Sequence, residues 1–152
     1  MASHPWFAKT HPAKNLSRLL GTWRHEAMIP GFAKPFVSTV RFTWIVKDML
    51  LLMKSKGQKG GPPSCTGVLG ADDANNELQM LYCDERGVTR IYDVTLNKTE
   101  FTWERKAKGF SQKLVCKFSK DGRSIAGEAF KAVNGGRMQH DMMWIYERKR
   151  AT

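Results

Sequence analysis

From residue 36 to residue 147 the chain is broken at intervals of roughly ten residues by sequences that reverse a backbone. These are Lys47-Asp48, the 57–63 run GQKGGPP, the 71–76 run ADDANN, Glu85-Arg86-Gly87, Asn97-Lys98, Lys108-Gly109, Lys120-Asp121-Gly122 and Asn134-Gly135-Gly136. Asp-Gly and Asn-Gly suit tight hairpins because both residues tolerate a positive φ. The segments between them are too short for strand–helix–strand units. That leaves an antiparallel sandwich or an up-and-down barrel. So many strands in an open sheet would leave exposed edges, and closure removes them.

The segments themselves alternate. In 36–46, Val40, Phe42, Trp44 and Val46 share one face, with Thr39, Arg41, Thr43 and Ile45 on the other. Strands are expected at 22–28, 36–46, 49–55, 65–69, 77–83, 88–96, 100–106, 111–118, 124–131 and 138–147. Ahead of them Leu16, Leu19 and Leu20 suggest a short helix capped by Asn15 or Ser17. The expected fold class is all-β: a single antiparallel up-and-down β-barrel of about ten strands, with the short N-terminal helix capping one end. One domain is expected over 1–152. Within it, residues 1–14 form an N-terminal docking segment carrying Trp6 and Phe7 between Pro5 and Pro12.

Trp23 opens the first strand with Gly21 beside it, well placed to plug one end of a closed sheet. In this reading Trp23, His25 and Ala27 point inward. On the last strand Met138, His140, Met142, Trp144 and Tyr146 share a face, which brings His25 and His140 toward each other across neighbouring strands. Such a pair suits a general base or a ligand; the alternative is two hydrogen-bonded structural histidines. Arg90 and Tyr92 share a face, with Tyr82 on the preceding strand. A guanidinium and a phenol in a dry cavity suit a carboxylate. The alternative turns Arg90 outward, paired with Asp93 or Glu104. Phe42, Trp44, Trp103, Met142 and Trp144 complete the expected ligand-binding wall. Ten strands make a barrel too wide for its own side chains to fill.

The net charge is +11, and residues 1–62 hold ten Lys/Arg against two acids, Glu26 and Asp48. This fits an anionic partner or simply a solubilising coat. Nucleic acid is disfavoured, since four of the five tryptophans point inward or anchor the base in this reading, which leaves few exposed for stacking. No apolar run approaches the roughly 20 residues of a membrane helix, so no membrane span is expected. No signal-type stretch opens the chain, which makes a cytoplasmic protein the expectation. Cys65, Cys83 and Cys116 are too scattered for a metal finger and read as reduced thiols; no metal site is expected.

Gly21-Thr22-Trp23 after a short helix resembles the G-x-W signature of lipocalins and the wider calycin group. Gly67-Val68-Leu69-Gly70 before Asp72, Arg86-Gly87-Val88 leading into Arg90-Ile91-Tyr92, Lys120-Asp121-Gly122-Arg123 and Trp144-Ile145-Tyr146 are similar to lipocalin-like bacterial proteins. The likeness runs from about residue 15 to residue 148. It implies a barrel holding a small, mostly apolar and in one version anionic molecule. Fatty-acid-binding proteins and haem-binding nitrobindins are more distantly similar. The latter would imply a haem histidine on the last strand, yet counting back from Tyr146 puts Asp141, not His140, at that place. No cofactor is therefore expected, and haem is the one group the resemblance raises. The alternative function is a cofactor-independent isomerase or cyclase in the same cavity, with His25 or His140 carrying a proton and Tyr92 or Arg90 steadying negative charge. Either a monomer or a homodimer fits.

Overall fold

The alternating segments fold into ten antiparallel strands in a computed structural model that describes residues 12–151. They are β1 (Gly21–Met28), β2 (Phe36–Val46), β3 (Leu50–Lys56), β4 (Cys65–Ala71), β5 (Leu78–Asp84), β6 (Thr89–Leu96), β7 (Glu100–Arg105), β8 (Phe110–Phe118), β9 (Ser124–Val133) and β10 (Gln139–Arg148). Each pairs with its sequence neighbours, and β1 pairs with β10 to close the barrel. Closure gives every strand a neighbour on both sides and so removes the open edges of a flat sheet. Among the described residues no helix is long and apolar enough to cross a membrane.

A 3₁₀ helix, Pro12–Leu19, covers one end. It starts earlier than the Asn15 cap suggested. Pro12 suits a first helical position because its missing N–H is one the helix could not have bonded. A 3₁₀ helix has about three residues per turn, so Ala13, Leu16 and Leu19 fall in one row, and all three are buried. Pro12–Lys14 thus belong to the helix, and the rest of the expected docking segment lies outside the described residues.

The helix ends in carbonyls with no partner inside it, and the barrel supplies partners. The Trp23 indole N–H donates to Leu19 O at 2.8 Å. Arg148, at the end of β10, donates to Leu20 O and, at 2.8 Å, to Arg18 O. Its guanidinium also lies 4.1 Å from the Trp23 ring centre. Gly21 has φ +113° and faces this group; a Cβ there would sit 3.2 Å from the Arg148 guanidinium. Trp23, Phe42, Leu51, Leu69, Phe101 and Ile125 are buried at or above this base and make the solid part of the core.

Alternation holds along most strands, with one break that matters. On β10 the register against β9 shifts between His140 and Met142, so Asp141 is an extra, bulged residue. Below the bulge Trp144 and Tyr146 point inward as expected. Above it the parity reverses, and His140 lies on the outer wall, 3.2 Å from Glu128 and edge-on to Phe130.

Glycines shape the inner wall in two different ways. Trp144 pairs with Gly127 across β10 and β9, and its indole lies flat on that glycine. A Cβ at Gly127 would fall inside the ring, whereas a Cβ at Gly67 would meet only the flexible ends of Met80 at 2.9 Å and Met53 at 3.1 Å. Gly127→Ala is expected to destabilise the barrel by about 2 kcal/mol or more, as overpacking against a rigid group does, and Gly67→Ala by less than about 1 kcal/mol. Urea unfolding of the two variants checks the order; equal losses would contradict this packing.

Candidate functional site

Above the sealed base the barrel is hollow. A cavity of about 370 Å³ is bounded below by His25, Val40, Met53, Trp144 and Tyr146 and on the sides by Tyr82, Tyr92, Trp103 and Leu114. Its mouth is formed by Ile29, Arg86, Arg90, Phe110, Lys131, Asp141, Met142 and the Gly61-Pro62-Pro63 stretch. Three residues of the 57–63 loop, Gly61, Pro62 and Pro63, edge this opening. The loop is tied down by Val37 N–H donating to Gln58, Gly57 N–H to Ser64 Oγ and Ser64 N–H to Glu85, each at 2.9–3.0 Å.

Of the expected site residues, His25, Tyr82, Arg90, Tyr92, Trp103, Met142 and Trp144 line the cavity. Phe42 and Trp44 do not. They share the inward face of β2, but they lie where the base and helix are packed, so they serve as core. His140 is turned out by the bulge, and no His25–His140 pair forms. Arg90 faces the cavity with its guanidinium 4.3 Å from the Phe110 ring centre, and it forms no ion pair with Asp93 or Glu104. Among the described tryptophans Trp23, Trp103 and Trp144 are buried and Trp44 is half-buried, so none is an open stacking platform.

Sequence reasoning missed Gln112, Lys131, Asp141, Arg86 and Cys65. Gln112 and Cys65 follow the inward parity of their strands and were legible. Strict alternation puts Asp141 on the face opposite Trp144 and Tyr146, and it is the bulge that turns it to the cavity mouth.

The site is graded in polarity. Its depth holds one titratable base, His25, whose Nδ1 lies 2.9 Å from Ser38 Oγ and whose ring packs on Tyr146 at 4.9 Å between centres. Burial lowers its pKa to about 4, so the imidazole is neutral at physiological pH. Charges gather near the mouth and partly cancel. The Asp84 carboxyl is held at about 2, chiefly by Arg86, which grips it through Nε at 3.2 Å and Nη2 at 2.7 Å; Tyr82 OH donates to it at 2.8 Å. Lys131 and Asp141 pair at 2.6 Å. Tyr92 OH donates to Gln112 Oε1 at 2.6 Å. Burial, then the charge of Asp84, pushes the Cys65 thiol up to about 11, so it is not a nucleophile at neutral pH. All three cysteines are free.

Among the described residues no three His, Cys, Asp or Glu side chains gather to hold a metal ion. Haem fits poorly on the last strand. Asp141 is engaged by Lys131 and His140 is outside, so β10 offers the cavity no histidine.

No protein-family model matches the chain, and no curated protein matches it in sequence. Among solved structures it is similar to Rv2717c from M. tuberculosis, with a TM-score of 0.63 and 17% identity over 95% of this chain and 99% of that one. The two share a closed-barrel fold. At that identity the likeness speaks for the fold alone, and the fold is compatible with small-molecule binding. A redesigned β-barrel, b11L5F_LGL, aligns at a TM-score of 0.46 and 12% identity over 94% of this chain.

The buried imidazole gives stability a pH slope. Above its ordinary pKa near 6.5, His25 is neutral folded and unfolded and contributes none. As pH falls from 6.5 to about 4, the unfolded chain takes up a proton that the folded barrel refuses. At about 1.4 kcal/mol per pH unit this removes about 3 kcal/mol of stability. Asp84 acts in a separate window: its stabilisation is lost only as pH falls from 3.8 toward 2. Urea unfolding between pH 7 and pH 4.5 is expected to show a smaller loss in His25→Gln than in the parent protein. The same loss in both would rule out a buried neutral imidazole.

Proposed function

We propose that the protein binds a small, mostly apolar molecule carrying one acidic group inside the barrel. The observation that carries this reading is the cavity of about 370 Å³ above a sealed base, aromatic and methionine-lined in its depth and charged at its mouth. That volume is at the lower end of the roughly 300–1,000 Å³ usual for small-molecule sites. Apolar area removed from water at about 25 cal/mol per Å² would supply most of the affinity. Arg90, held over Phe110 at the mouth, is the group suited to meet the acidic end.

The isomerase or cyclase alternative is weaker. Of its two candidate proton carriers, His140 lies on the outer wall, and the His25 imidazole, lowered to about 4, is poorly matched to proton transfer near neutral pH. Tyr92 is also a poor proton carrier, because burial raises its hydroxyl above the ordinary range.

Methionine methyl resonances test the binding reading. Met53 and Met142 line the cavity, whereas Met28 and Met143 are on the outer wall. Titration with N-phenyl-1-naphthylamine, a neutral apolar probe, is expected to shift Met53 and Met142 and leave Met28 and Met143 in place. No shift at the two inner methyls, or shifts at the outer pair alone, would remove the reading.

A further inference from the structure

The barrel wall is not equally sealed all round. β6 and β7 pair only from Asp93↔Glu104 to Leu96↔Phe101. Toward the mouth β6 continues through Thr89–Tyr92 while still paired with β5, whereas β7 stops at Arg105. The two strands part there. The resulting notch opens on an outer groove lined by the cations Arg90, Arg105 and Lys106 and, on its outer side, by the acids Asp93 and Glu104. Arg90 also lines the inner cavity, so groove and cavity meet at this side chain.

The groove holds three cations, Arg90, Arg105 and Lys106, against two acids, Asp93 and Glu104, and the two arginines are the groups on the inward face of their strands. Arg86 is taken up by Asp84, and Lys131 by Asp141. Among the described residues Arg90 and Arg105 form no ion pair, and Arg105 Nε is buried with no acceptor. The acids of the same stretch are engaged on the outer wall, Asp93 by Gln79 at 3.2 Å and Glu104 by Lys106 at 4.0 Å. Both guanidinium charges act on the Tyr92 hydroxyl, against the burial that raises its pKa. Two neighbouring cations that are partly withdrawn from water repel each other until an anion comes between them. Guanidinium groups match oxyanions in geometry as well as charge, since each presents a planar fork of donors. Gln112 strengthens the match: its Oε1 accepts from Tyr92, which leaves its amide N–H groups to donate.

We infer that the notch between β6 and β7 is an oxyanion site, in which Arg90 and Arg105 hold a carboxylate, sulfonate or phosphate ester whose apolar body lies in the cavity. This rests on the binding reading above and adds the second arginine, the class of head group and its place in the side wall. The ligand's charged end faces out through the wall while its apolar end points toward His25 and Trp144.

Two probes that share one ring system test it. 8-Anilinonaphthalene-1-sulfonate carries a sulfonate; N-phenyl-1-naphthylamine is the same body without it. By fluorescence titration at low salt the sulfonate is expected to bind at least about tenfold more tightly, the value of one good charge-assisted contact. In the Arg90→Gln/Arg105→Gln double variant that ratio is expected to fall to near one. In Lys54→Gln, a surface cation on the outer wall of β3, it is expected to persist. A ratio that survives in the double variant, or one near one in the parent protein, overturns the oxyanion site and leaves the cavity reading standing. Binding of neither probe to the parent protein overturns both.

Discussion

The structure depends on one indole held from three sides. Trp23 is fully buried, donates to a carbonyl at the helix end and carries the Arg148 guanidinium on its face. An indole removes about 150–250 Å² from water, an upper-bound gain of about 4–6 kcal/mol. The hydrogen bond adds about 1 kcal/mol and the cation–π contact about 0.5–2 kcal/mol. Burial therefore contributes the most, and its gain is comparable with the whole net stability of an ordinary domain. The polar contacts decide the geometry. They join the helix, the first strand and the last strand at one point, which is where an up-and-down barrel must close. Arg148 does two things there, stacking on the ring and satisfying helix carbonyls that would otherwise be left without donors.

Sealing one end solidly is what leaves the other end hollow. Below His25 the inward side chains are large and packed, Phe42 and Phe101 among them. Above it Tyr82, Tyr92, Trp103 and Trp144 line the wall and leave the centre open, and Gly127 gives up its side-chain volume to the Trp144 ring. Polarity follows the same axis. The depth holds a neutral imidazole and aromatic faces, and the mouth holds two neutralised ion pairs plus two guanidiniums without carboxylate partners. A chamber graded this way orients an amphiphilic guest before any specific contact is made, because each end of the guest loses least where its own kind of wall is found.

Most of the barrel was legible because period-two alternation and hairpin chemistry are local signals. The strands of β2 and β6–β9, the inward set Trp23, His25, Tyr92, Trp103 and Trp144, and the Gly21–Trp23 anchor all follow from residues close together in sequence. What misled was not local. The Asp141 bulge reverses parity in the middle of a strand, and nothing in Met138 to Tyr146 marks which residue is the extra one. Phe42 and Trp44 have the right face but the wrong height, on the part of β2 that packs into the core cluster with Leu16, Leu19 and Trp23 instead of lining the cavity. The charge left over at Arg90 and Arg105 could not be seen before the Arg86–Asp84 and Lys131–Asp141 pairs were known.

Hydrogen exchange of the Trp23 indole N–H tests the sealed base most directly. If the contact between Trp23, Leu19 and Arg148 locks the barrel, this proton exchanges only when the whole molecule unfolds, with the same opening free energy as the slowest strand amides and the same dependence on urea. Exchange far faster than those amides and insensitive to urea would mean that the base opens on its own, and a chamber standing on a sealed floor would be contradicted.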